Sequence, residues 1–104
     1  MAWVVLLFAG LFEIVWAYTM KLSDGFTKLT PSVITIIFML LSFGLLAYAM
    51  KSLPLGTAYV VWTGIGAIGS FVIGILILGE PASALRMLAA VLIISGLVLM
   101  KIAS

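Results

Sequence analysis

Four apolar runs, at 3–20, 32–50, 56–78 and 85–102, alternate with short polar breaks along the chain. Each has the length an α-helix needs to cross a hydrocarbon core ~30 Å thick. The breaks carry the chemistry that separates one helix from the next. Asp24-Gly25 marks a turn after the first run, and Pro31 favours a helix start because its missing N–H is one that a first turn leaves unpaired anyway. Pro54 follows the second run, and Gly79-Glu80-Pro81 interrupts the chain before Arg86 opens the fourth. The pattern predicts an all-α membrane protein with four transmembrane helices per subunit, a single domain over 1–104.

Composition narrows the function classes. The chain is 66% hydrophobic and 8% charged, with mean hydropathy +1.48, whereas soluble domains are about one quarter charged. Four spans use nearly all of the 104 residues and leave no room for a catalytic ectodomain. Cysteine and histidine are both missing, which removes disulfides, thiol nucleophiles and the usual zinc constellations. The expectation is a protein that is not an enzyme and needs no cofactor or metal. The first run has no basic segment ahead of it and carries an acid within it, so it reads as a retained span, not a cleaved signal peptide. Net charge is +2 without a basic run, which gives no sign of nucleic-acid binding.

That acid, Glu13, is the only charge in its run. About ten residues into a helix, it sits roughly 15 Å deep, near the middle of a bilayer. Placing an ionisable group there costs on the order of 2.5–3.5 kcal/mol, and such groups face a bundle interior or a water-filled cavity. Glu13 is therefore read as a working ionisable site.

Its surroundings are sketched by helical spacing. Ala9, Gly10, Trp16 and Ala17 lie three and four residues away, a mostly small face with Trp16 as one wall. On the third helix Tyr59, Trp62 and Thr63 share a face continued by Gly66 and Ser70. An aromatic stripe is commonly plain core. Beside a buried acid it becomes a set of ring faces for a cation, with an indole N–H and a phenol as donors. The second helix contributes Thr35, Met39 and Ser42, and Ser42 either bonds its own preceding turn or orients Glu13. Glycines 64, 66 and 69 suggest a bending point in the third helix.

Met-Lys pairs close the first, second and fourth runs (Met20-Lys21, Met50-Lys51, Met100-Lys101), and read as anchoring, with the ammonium snorkelling to the headgroups. Four spans place Lys51 and Lys101 at one membrane face and Lys21, Lys28 and Arg86 at the other. An imbalance of one cation gives almost no orientation signal. Either the chain inserts both ways up and pairs as an antiparallel homodimer, or weaker cues fix one topology. Four helices are too few to shield Glu13 from lipid on every side, so association is expected, with Ala89, Ala90, Ser95 and Gly96 allowing close approach.

The segments AGLFEIVWA around Glu13, DGFTKLTPS in the first connection, LPLGTAYVVWTGIGA in the third helix and GEPASALR before the fourth closely resemble the small multidrug resistance family, and within it the guanidinium-exporter branch. The likeness covers essentially the whole chain. It implies an antiparallel dual-topology homodimer in the bacterial inner membrane, exchanging protons for small guanidinyl cations such as guanidinium or guanylurea by alternating access. It further implies that Glu13 is the shared proton and substrate site, that Gly10, Trp16, Ser42, Tyr59 and Trp62 form its surround, and that Gly64 and Gly66 form the hinge. Tryptophan at 16 resembles the guanidinium pattern; the quaternary-ammonium branch has a small residue there.

Elementary chemistry agrees with that expectation. Burial disfavours an unpaired charge, so a carboxylate in a partly dry site holds a proton until a cation displaces it. Planar guanidinium bonds a carboxylate with two parallel donors and stacks on rings, which a quaternary ammonium cannot match by hydrogen bonding. Other readings are an exporter of bulky quaternary ammonium drugs, a non-transporting assembly subunit, and a lipid-modifying enzyme, the last lacking any nucleophile and base set.

Overall fold

The apolar runs fold into helices α1 (Ala2–Leu22), α2 (Leu29–Ala49), α3 (Leu55–Leu76) and α4 (Ala84–Ile102). The structure, a computed structural model, describes residues 1–103; Ser104, the last position of the expected domain, lies outside the described residues. All four helices are long and apolar enough to cross a membrane, which makes the chain a multi-pass membrane protein. Twenty-one residues of α1 span about 31 Å at 1.5 Å per residue, close to a hydrocarbon core.

Packing is uneven. Helix α1 packs against both α2 and α3, α4 lies against α3, and α2 touches α3 only slightly. The subunit measures 40 × 34 × 16 Å, so its short dimension is little more than one helix diameter of about 10–12 Å. The buried core is small: Leu6 and Ala9 of α1, Leu46 and Ala49 of α2, and Ala58, Val61 and Trp62 of α3. Helix α4 buries no residue at all among those described. Most leucines, isoleucines and valines face outward, as a hydrocarbon solvent permits.

The connections refine the expected boundaries. Helix α2 begins at Leu29, so Pro31 lies inside its first turn, where the missing N–H breaks no intrahelical bond. Between α1 and α2 three consecutive residues, Asp24, Gly25 and Phe26, have positive φ of 51°, 72° and 65°. Ser23 holds this turn: its hydroxyl donates to the Met20 carbonyl at 2.6 Å and accepts from the Phe26 N–H at 3.1 Å. Helix α3 stops at Leu76, two residues before the end of its apolar run, and Gly79 turns the chain with φ +72°. Ser83 caps α4 by accepting from the Arg86 N–H at 3.3 Å. The Arg86 guanidinium pairs with Glu80 at 3.2 Å, donates to the Pro81 carbonyl at 2.8 Å and lies over the Phe71 ring. At the opposite face, Lys51 and Lys101 lie over the rings of Tyr48 and Trp3.

Candidate functional site

Glycines let α1 and α3 approach at the depth of Glu13. A methyl group built on Gly66 would run into the Glu13 carboxyl, one on Gly69 into the Ile14 side chain, and one on Gly10 into Ile65, with 2.7 Å to its Cβ. The Glu13 side chain thus lies flat against the bare backbone of α3, half-buried. On the mostly small face of α1, Gly10 packs directly against Ile65 and so serves the α1–α3 contact.

A polar node ties three helices together one turn away. Fully buried Ser42 of α2 donates its hydroxyl proton to the Ala9 carbonyl of α1 at 2.7 Å and accepts from the Trp62 indole N–H of α3 at 3.0 Å. Both readings of Ser42 drawn from spacing are thereby replaced, since its bonds go neither to its own turn nor to Glu13. A hydroxyl suits this point because a single small group both gives to a carbonyl and takes from an indole. A second buried bond joins α1 to α2, between the Thr19 and Thr35 hydroxyls at 2.7 Å.

Two buried polar atoms remain unmatched among the described residues: Glu13 Oε1 and Trp16 Nε1. One is an acceptor and the other a donor, and they stand one turn apart on α1. Buried groups of this kind are rare because leaving one unpaired costs about 1–3 kcal/mol. Their coincidence at the one mid-membrane acid makes this the candidate site, with an open acceptor on Glu13 and an open indole donor one turn on.

Aromatic rings form an unbroken series that starts at Trp16, one turn from Glu13. Trp16 meets Phe43 edge-on with centroids 6.1 Å apart, Phe43 meets Trp62 at 5.8 Å, and Trp62 meets Tyr59 at 5.6 Å. Trp62 is buried while Tyr59 is half exposed at the free edge of the subunit. Phe43 was missed from the sequence. It is one of five phenylalanines in the apolar runs, and only the meeting of α1, α2 and α3 singles it out. The glycines expected as a hinge lie within an uninterrupted α3. Gly64 faces α4, where an added methyl would strike Leu97, and Gly66 faces α1.

The remaining acids, Asp24 and Glu80, lie in the connections away from Glu13. Among the described residues no three metal-ligating side chains gather.

Known proteins resemble this chain over its full extent. A family model described as Small Multidrug Resistance protein matches residues 1–93. A protein of Yersinia pseudotuberculosis serotype I (strain IP32953) named Guanidinium exporter is 57% identical over 104 residues, covering 100% of both chains. Proteins with the same name from Proteus vulgaris and Citrobacter freundii are 53% and 54% identical, covering all of this chain and 100% and 99% of their own lengths.

Proposed function

The chain belongs to the small multidrug resistance family, and from that premise we propose that it is a proton-coupled antiporter exporting guanidinium and small guanidinyl cations, guanylurea among them, across the bacterial cytoplasmic membrane. The observation that carries this reading is the unmatched Glu13 oxygen in the interhelical contact. A proton and a cation each neutralise that carboxylate, and it accommodates one or the other. Exchange follows from the competition.

The surroundings favour a planar cation with hydrogen-bond donors. Guanidinium offers parallel N–H groups to a carboxylate and a flat face to rings. Trp16, Phe43, Trp62 and Tyr59 supply ring faces and edges in a series that begins one turn from Glu13. Names carried by relatives at 53–57% identity point the same way. In this proposal Glu13 is the proton and substrate site; Gly10, Trp16, Ser42, Tyr59 and Trp62 shape it; and bending at Gly64 and Gly66 exposes it alternately to each side.

The working unit is proposed to be an antiparallel dual-topology homodimer. A subunit 16 Å thick cannot surround a mid-membrane acid, and the cations balance at three against two between the faces. Two Glu13 carboxylates in one site would titrate as a coupled pair.

Purified protein in liposomes, with pH gradients as the drive, tests the reading. Guanidinium and guanylurea should move with counterflow of protons, and Glu13→Gln should abolish that movement. Transport of a bulky quaternary ammonium with none of guanidinium would replace the substrate; transport surviving in Glu13→Gln would remove the mechanism.

A further inference from the structure

A groove of about 590 Å³ opens between α1, α3 and α4, away from the α1–α2 face that carries Ser42. Trp3 and Leu7 form one wall, Ile65 the floor, and Leu97 and Lys101 the other wall. It exists because α4 packs on α3 while leaving α1 uncovered on that side.

We propose that this groove binds an anionic phospholipid, with an acyl chain along Leu7, Ile65 and Leu97 and the phosphate held by the Lys101 ammonium. The charge distribution favours that headgroup. No acidic side chain shares the membrane face of Lys101 and Lys51, because Glu13 lies mid-span and Asp24 and Glu80 lie in connections at the other end. The ion pair among the described residues, Glu80 with Arg86, belongs to that other end, and no acidic side chain among those residues pairs with Lys101. Its Nζ is instead poised 4.6 Å above the Trp3 ring centroid, at the mouth of the groove. Tryptophan and lysine together at a helix end match the headgroup level of a bilayer.

Geometry argues against a helix of a second copy as occupant. The groove runs from Trp3 to Leu7 on α1 and from Leu97 to Ile102 on α4, about 6–8 Å of helix, which is half of one leaflet. Its walls are bulky, whereas close helix association in membranes uses small residues. The small positions Ser95 and Gly96 of α4 are exposed elsewhere on that helix and line no part of the groove. A single chain attached to a charged headgroup fits a short, one-leaflet, apolar slot with a cation at its mouth.

Native mass spectrometry of the delipidated full chain, titrated with dioleoyl phosphatidylglycerol or dioleoyl phosphatidylcholine, tests the proposal. Phosphatidylglycerol should bind about fivefold more tightly, the scale of one lysine near an anionic headgroup. Lys101→Gln should erase that preference and Lys51→Gln should leave it. Val98→Trp, which fills the groove from its rim, should weaken both lipids, while soluble glycerol phosphate should not compete. Equal binding of the two lipids overturns the proposal, as does equal loss in the two lysine variants, which would mean diffuse surface attraction. Cross-linking of Val98→Cys to a second copy would also overturn it, by placing a protein in the groove.

Discussion

Glycine substitutions separate the two jobs done at the α1–α3 contact. A methyl at Gly66 meets the end of the Glu13 side chain, which can swing aside at little energetic cost. A methyl at Gly10 meets the β-branched stem of Ile65, which cannot move without parting the helices. Gly66→Ala is therefore expected to lower guanidinium transport strongly while shifting thermal stability little. Gly10→Ala is expected to lose about 1–3 kcal/mol, the usual cost of overpacking. Thermal unfolding in detergent set beside liposome flux checks the pair; equal loss of stability in both would put the carboxyl in a fixed structural role. Competition at Glu13 has a pH consequence too. In the proposed exchange a proton leaves Glu13 when a cation binds, so cation affinity should rise with pH and flatten once the carboxyl is deprotonated without a ligand. Binding calorimetry across pH measures this, and a pH-independent affinity would detach the cation site from Glu13.

At the scale of elements, Ser42 locks α1, α2 and α3 with one hydroxyl. Ser42→Ala leaves the Ala9 carbonyl and the Trp62 N–H without that partner, at an expected cost of about 1–3 kcal/mol. Trp62→Phe should cost less in a Ser42→Ala background than alone, since their bond is already gone; a double-mutant cycle in unfolding free energy reads the coupling, and strict additivity would dismiss the node. What was legible before folding follows from the physics of each feature. Helix number came from apolar length, and Glu13 stood out because an acid inside an apolar run is costly wherever the neighbours are. The partner of Ser42 was not legible, because the Ala9 carbonyl is backbone and carries no side-chain signal. Phe43 was hidden for a related reason: apolar rings in a membrane span announce nothing until three helices converge on one. Gly66 was read as a place to bend, while its nearest neighbour, the Glu13 carboxyl, gives it a packing role that spacing within α3 could not reveal. The α4 cap at Ser83 was missed although serine three residues before Arg86 is an ordinary capping arrangement.

The whole molecule leaves its polar site at the free edge of a thin layer. Tyr59 is half exposed beside Trp62, and α4 contributes no buried residue. In the proposed homodimer a second copy encloses Glu13, and the charge balance leaves its orientation open: Lys21, Lys28 and Arg86 at one face oppose Lys51 and Lys101 at the other. Insertion follows cytoplasmic lysine and arginine, so a few added cations should fix the chain one way up. Ser52→Lys with Ala103→Arg loads the face of Lys101, and Thr30→Lys with Ala82→Lys loads the opposite face, all at exposed positions. If the working dimer is antiparallel, each locked variant alone should label from one side of the membrane and lose most guanidinium export, because only like-oriented pairs can form. Co-expression of the two should restore export by supplying both orientations. Full activity from either locked variant alone would rule the antiparallel dimer out, and Glu13 would then have to be enclosed by subunits that all point the same way.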